Sequence, residues 1–334
     1  MEKHGIRRAA VVALVGLLAP FPARADGVAR PDDHAPIGVM GDHRHAAGEV
    51  MLSYRYARMS MRGNREGTAR ESLRSVLRRF PVAPFSMDME KHVFGAMWAP
   101  TDDVTLMAMV PLLRLDMDHR TRMGLRFRTR SKGPGDVRLL ALVALPSTGH
   151  HRLHLKAGLS LPTGSISRKD RTPMGRVRLP YPMQLGSGSF DLLPGLVYTG
   201  FSRNGSWGAE VHGTVRLHRN RRGYRLGHRY AASLFGARRW APFVSTSLRL
   251  EWNAWGDIHG RDRDLNARLV PTVDPSLRGG RRLDLLAGIN LIGTGGPVRN
   301  HRLAVELGRP VHQRLDGPQL ETDWRVVVGW QVAF

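Results

Sequence analysis

Methionine and histidine side chains that could bind a soft metal ion are concentrated in the first part of the chain. Eleven of the fourteen methionines lie between residues 40 and 123, and several histidines are interspersed among them. Thioether and imidazole groups together suit copper ions. The candidate ligands are Met87, Met89, Met107, Met109, His43 and His45. The alternative, which we favour, is that the methionines pack as flexible apolar side chains within a protein wall.

A second set of polar side chains alternates with apolar ones along the chain. Such side chains could line a water-filled lumen and give it a modest preference for anions. The candidates are His154, Lys156, Glu210, His212, Arg216, Arg249, Glu251, Asp284, Glu306 and Arg325. His154 and Ser160 could share a face, but six residues of strand separate them by about 20 Å, too far for a nucleophile and its base. Since the chain also has no cysteine, we expect neither catalysis nor a cofactor.

The elements that carry these residues have an apolar period of two, which predicts strands. In the last segment, for example, Trp324, Val326 and Val328 alternate with Arg325 and Val327. About twelve segments of this kind occur, each of 10–14 residues: 48–59, 87–99, 104–115, 135–145, 151–162, 189–200, 207–218, 227–239, 244–254, 281–293, 301–310 and 321–334. Tight turns alternate with long gaps, notably 60–86, 116–134, 163–188 and 255–280.

These features predict an all-β fold, a closed antiparallel transmembrane β-barrel of about 12 strands. A strand of about 9–11 residues can cross a bilayer at a tilt, and in lipid only a closed sheet pairs every backbone group. The alternation of loop lengths is typical of outer-membrane barrels, which have short periplasmic turns and long outer loops. The alternative is a secreted β-sandwich or propeller.

The chain ends carry further signals. Residues 1–25 have a basic start, an apolar run and Ala23-Arg24-Ala25, and they predict a secretory signal peptide cleaved near Ala25. Residues 26–47 lack alternation and are expected to form a periplasmic tail or a plug in the lumen. Residues 48–334 would form the barrel. Within them, the apolar stripe of 70–80 predicts a helix over the barrel mouth. The C-terminal Phe334 is typical of strands that the barrel-assembly machinery recognises.

Several motifs resemble a known family. They are LPTGSI at 161–166, PMQLGSG at 182–188, APIGVMGDH at 35–43 and LDGPQLETDW at 315–324. In these stretches the chain resembles the outer-membrane proteins labelled "MetA-pathway of phenol degradation". The resemblance implies an outer-membrane barrel that moves small solutes, aromatic or otherwise hydrophobic compounds among them.

The sequence therefore predicts a channel or transporter for a small solute in the outer membrane of a Gram-negative bacterium. Copper handling by the Met and His residues, or a structural barrel without transport, are the alternatives. The expected partners are outer-membrane lipids and lipopolysaccharide, whose phosphates match the arginines of the long loops. Although the chain has a net charge of +23, export and the strand pattern argue against binding of nucleic acid.

Overall fold

A computed structural model describes residues 30–147 and 149–334. The predicted signal peptide and its cleavage site lie outside the described residues. Within them, no helix has the length and apolar character needed to cross a membrane.

Strands dominate the described part of the chain. They are β1 (Val50–Gly67), β2 (Ala69–Glu71), β3 (Val82–Thr101), β4 (Val104–Thr121), β5 (Arg126–Pro134), β6 (Val137–Leu145), β7 (His151–Leu161), β8 (Lys169–Thr172), β9 (Gly175–Arg178), β10 (Asp191–Leu192), β11 (Gly195–Phe201), β12 (Gly205–Arg216), β13 (Tyr224–Arg225), β14 (Arg229–Ala241), β15 (Val244–Trp255), β16 (His259–Gly260), β17 (Gly280–Ile292) and β18 (His301–Ala333). One α-helix, α1 (Leu73–Arg79), and the 3₁₀ turns Tyr181–Met183, Pro271–Val273, Pro275–Leu277 and Gly296–Val298 complete the elements.

Eleven of these elements close into a ring through antiparallel pairings, in the order β1, β3, β4, β6, β7, β11, β12, β14, β15, β17, β18 and back to β1. An odd number of straight strands cannot all be antiparallel to both neighbours, so one element must cross twice. That element is β18, whose first half pairs with β17 and whose second half pairs with β1. It reverses near Gly317, which has φ +149°. The ring is therefore crossed twelve times, which confirms the predicted closed barrel of about 12 strands.

The alternation of the sequence becomes an outer apolar face and an inner polar face. On β15, Leu248 is 62% exposed whereas its neighbour Arg249 is 3% exposed. The same outward exposure recurs around the ring, as at Phe94, Val110, Leu139, Leu155, Val211, Leu234, Ile289 and Leu307. An apolar face of this size is stable against hydrocarbon but not against water. The outer face therefore meets lipid, and the charged side chains lie on the inner face, away from the hydrocarbon.

A test of this orientation places a charge on the outer face. We expect Leu248→Arg to lower the free energy of unfolding by about 2–4 kcal/mol, because an outward arginine near the bilayer midplane must be desolvated. Leu217→Arg, just beyond the end of β12, should cost about 0–1 kcal/mol because water is close by. Denaturant unfolding of both variants in lipid bilayers measures the difference. Equal losses would contradict a lipid-facing Leu248.

Several boundaries differ from the prediction. The intervals 60–86 and 116–134 were predicted as loops, but β1 extends to Gly67, β3 begins at Val82, and β5 pairs with an extended β4. Backbone pairing continues there above the apolar band, where outward side chains such as Asp118, Arg128 and Arg130 are charged, so the apolar–polar alternation that predicts a strand is lost. The predicted segment 189–200 is interrupted between β10 and β11 by Pro194, which has no N–H for the ladder. Segments 301–310 and 321–334 form the single element β18.

The predicted helix near residues 70–80 is present as α1. Ser72 caps it by accepting a hydrogen bond from the Ser75 N–H, and Arg78 and Arg79 occupy its last turn. Its buried side chain, Val76, packs with Phe80 and with Ala83 at the start of β3.

Candidate functional site in the barrel lumen

Residues 30–47, the N-terminal segment, lie among inward side chains from several parts of the ring. Ser245 Oγ on β15 donates to Pro31 O at 2.8 Å, and Arg302 Nη2 on β18 donates to Ala35 O at 2.7 Å. Across the lumen, His154 Nε2 and Lys156 Nζ on β7 contact Gly41 O at 3.0 Å and Met40 O at 2.9 Å. The backbone of this segment thus bonds to β7, β15 and β18 in the half of the barrel that has short turns.

Glycines allow this close approach between segment and wall. A Cβ at Gly38 would overlap the head groups of Arg249 and Glu306, and a Cβ at Gly329 would lie 2.6 Å from two side-chain carbons of Ile37. Gly41 has φ +66°, a conformation that L side chains rarely adopt. The fit of the segment into the lumen therefore depends on glycine at these three positions.

One wall of the lumen carries a continuous network of opposite charges. Arg249 donates from Nε and Nη2 to both oxygens of Glu306 at 2.8 and 2.6 Å, and from Nη1 to Glu251 at 2.8 Å. Arg325 joins Glu251 to Asp284, and Arg282 Nε lies 2.9 Å from Asp284. The sequence had selected the first five of these residues, which lie on β15, β17 and both halves of β18.

The remaining candidates lie on β7 and β12. Lys156 pairs with Glu210, and His212 Nδ1 lies 3.2 Å from the same carboxylate. Arg216 pairs with Asp191 on β10. His154 is buried against the N-terminal segment, as described above. The ten predicted lumen residues therefore form two hydrogen-bonded groups in the lumen rather than one reactive constellation.

Two arginines that bind within the lumen were not among the candidates. They are Arg282, which lies at the start of the predicted strand 281–293, and Arg302, which alternates with Leu303 on β18. Arg302 donates to Gln331 Oε1 at 2.6 Å and to Asn290 Oδ1 at 2.5 Å. The alternation could have identified Arg302, since it shares a face with Glu306.

The methionine candidates pack with hydrocarbon side chains in two separate clusters. Met107 and Met109 are buried with Met51, Met97, Val93 and Leu142. Met87 is buried with Leu115, Met117 and Met183, and Met89 packs at the edge of that cluster. This arrangement is what the packing interpretation expects.

A cavity of about 450 Å³ lies between the barrel wall and the long loops. Its cationic lining residues are Lys91, Arg138, Arg216, Arg229, Arg278 and Arg282, against the single carboxylate Asp136. Within residues 30–147 and 149–334, Lys91, Arg138, Arg229 and Arg278 form no salt bridge. Burial lowers the pKa of Arg278, in the loop before β17, to about 10, so the guanidinium stays charged near neutral pH. A second cavity, of about 260 Å³, shares Arg138, Arg216 and Arg229 and reaches Gly38 and Met40.

Histidines of the N-terminal segment lie beside a buried carboxylate. His34 Nδ1 and His43 Nδ1 are 3.1 Å apart, and His43 Nδ1 is 3.0 Å from Asp42 Oδ1. Burial lowers the pKa of His34 to about 3, which keeps its imidazole neutral. The other predicted ligand of this segment, His45, instead places Nδ1 3.1 Å from Glu49 Oε2. No sequence pattern predicted that His34 and Asp42 would meet His43.

The barrel is similar to outer-membrane channels of known structure. The COG4313 outer membrane channel from Pseudomonas putida F1 matches with a TM-score of 0.65 and 15% identity, over 88% of this chain and 98% of that one. The P. putida toluene transporter TodX matches with a TM-score of 0.43 and 9% identity, over 86% and 90% of the two chains. The KdgM porin matches with a TM-score of 0.38 and 10% identity, over 85% and 99%. No model of a known protein family matches the chain, and no curated protein matches it in sequence.

The first of these likenesses establishes the class of fold. It extends over nearly the whole of both chains, and the antiparallel ring with its apolar exterior is common to barrels of the outer membrane. The chain therefore has the fold of an outer-membrane β-barrel channel.

Proposed function

We propose that this protein is a channel of the Gram-negative outer membrane for a small organic solute with an apolar, for example aromatic, body and a negative charge. The observation that carries the proposal is the lumen cavity lined by Arg138, Arg229 and Arg278, none of which forms a salt bridge within the described residues. Charged groups that line a pore without counter-charges attract ions of the opposite sign. Asp136 offsets only one of these charges, because it is the single carboxylate of the lining. Its oxygens are held by backbone N–H bonds from Gly164 and Ser187.

An apolar cleft among the long loops supports the hydrophobic part of the proposal. It has a volume of about 500 Å³ and contains the packed side chains of Val82, Phe127, Leu265, Leu269 and Val270. Apolar clefts of this size accept small organic molecules. The solute would meet this cleft first and the cationic cavity second.

The resemblance to the proteins of the "MetA-pathway of phenol degradation" label agrees with a solute of this kind. The same proposal includes export by the signal peptide, contact of the loop arginines with lipopolysaccharide, and assembly through the strand that precedes Phe334. Residues 30–47 would act as the plug of the channel, since they occupy the short-turn half of the lumen.

The cations of the cavity can be tested directly. In planar bilayers with a KCl gradient, we expect a reversal potential that indicates preference for chloride. Arg138→Gln/Arg229→Gln should move this potential most of the way to zero, because two unpaired charges leave the cavity. Benzoate, which has an aromatic ring and a carboxylate, should also reduce the chloride current of the wild-type protein more than that of the variant.

The matched control removes two charges from the exposed loops. Arg176→Gln/Arg219→Gln should leave the reversal potential nearly unchanged, since both side chains are exposed to bulk solvent and are screened by salt. A cation-selective wild-type channel would refute the anionic solute. A bilayer with no conductance at any voltage would favour a structural barrel without transport.

A further inference from the structure

Three potential metal ligands converge in the N-terminal segment. They are one nitrogen each from His34 and His43 and a carboxylate oxygen from Asp42, and all lie within 4.8 Å of one another. The measured separations are 3.1 Å between the two Nδ1 atoms, 3.0 Å between His43 Nδ1 and Asp42 Oδ1, and 3.7 Å between His34 Nδ1 and Asp42 Oδ2. A tetrahedral ion with bonds of about 2.0–2.1 Å separates its ligands by roughly 3.3 Å. The observed distances bracket that value.

Hydrogen bonding alone satisfies this group poorly. His43 Nδ1 faces both the His34 nitrogen and the Asp42 carboxylate, but a ring nitrogen has at most one proton to direct to one of them. His43 Nε2 is buried and has no hydrogen-bond partner among the described residues. The ring is therefore held by no hydrogen bond from outside the group. A cation at its centre would satisfy all three ligands at once.

The residues around this group favour the binding of an ion. Asp42 is 5% exposed and His43 is 9% exposed. The Ala35 N–H donates to Asp42 Oδ2 at 2.9 Å, which fixes the carboxylate in the way that outer hydrogen bonds orient metal ligands. His34 is only partly buried, so an ion could enter past its ring.

We infer that His34, Asp42 and His43 bind one divalent transition-metal ion. Two imidazoles and one carboxylate suit Cu²⁺ and Zn²⁺, whereas Ca²⁺ and Mg²⁺ prefer oxygen ligands alone. A water molecule would complete the coordination. Binding would join residue 34 to residues 42–43 and so tighten the loop that fills the lumen. The site does not depend on the identity of the transported solute.

The test uses the full mature chain without an affinity tag, purified in detergent and freed of metal with a chelator. Zn²⁺ titration by calorimetry should give one ion per chain, and Cu²⁺ should give an electron paramagnetic resonance spectrum with coupling to two nitrogens. His43→Gln and Asp42→Asn should each weaken Zn²⁺ binding by about tenfold or more, since each removes a ligand. Heat-dependent gel mobility verifies that each variant is folded.

Two matched controls separate this site from adventitious binding by histidine. His45→Gln changes the same segment and His150→Gln an exposed turn at the same end of the barrel, so both should retain wild-type affinity. If His43→Gln or Asp42→Asn prevents folding, His34→Gln replaces that variant, because the His34 side chain is partly exposed. The inference is overturned if the wild-type protein binds no ion, or if the folded ligand variants bind Zn²⁺ as tightly as the controls do.

Discussion

Deletion of residues 26–47 is expected to raise the single-channel conductance well above that of the wild-type channel. A barrel of twelve strands is wide enough to enclose more than its own side chains. In this chain the short-turn half of the lumen holds the N-terminal segment, which bonds to β7, β15 and β18. Without the segment, inward charges such as Lys156 and Arg302 would be hydrated, so the barrel should still close. Conductance in planar bilayers measures the change.

A cross-link tests whether the segment must move for solute to pass. The chain has no cysteine, so Ile37→Cys/Gly329→Cys would introduce a single pair, at positions in close contact. We expect the oxidised variant to conduct less than the reduced one, and the reduced one to approach the wild type. An unchanged conductance after deletion of residues 26–47 would show that the segment does not obstruct the lumen.

Replacement of Arg249 by methionine should produce the largest loss of stability. Arg249 is buried and binds both oxygens of Glu306, which has no other salt-bridge partner in the described part of the chain. The substitution leaves that carboxylate buried and unpaired, which costs about 3–5 kcal/mol. Denaturant unfolding followed by tryptophan fluorescence measures the loss. The double variant Arg249→Met/Glu306→Leu should recover most of it, because no unpaired charge remains.

A surface pair of an arginine and a carboxylate provides the control. Arg114 Nε lies 2.9 Å from Asp116, but its side chain is 58% exposed. Arg114→Met should therefore cost about 0–1 kcal/mol, as exposed ion pairs do. If Arg249→Met were no more destabilising than Arg114→Met, water would already hydrate the lumen network, and the network would not be a structural element.

The candidate site was only partly predictable. The alternation identified Arg249, Glu251 and Glu306 as inward residues because a strand directs every second side chain to the same face. It could not show that Arg249 pairs with Glu306, since these residues are separated by β17 in sequence but meet across the sheet. The copper hypothesis drew on Met107 and Met109, which pack with apolar side chains, while His34 and Asp42 carry no periodic signal at all.

The sequence by itself determined that strands cross the membrane, about how many there are, and which face of each meets lipid. These properties follow from local composition, because a period of two separates hydrocarbon from water along every strand. Only the tertiary structure decided where the N-terminal segment lies, how far strands extend beyond the apolar band, and which charges meet in the lumen. Those features depend on contacts between residues far apart in the chain. Such contacts are made inside the lumen and in the loops, where no boundary between lipid and water produces a regular pattern in the sequence.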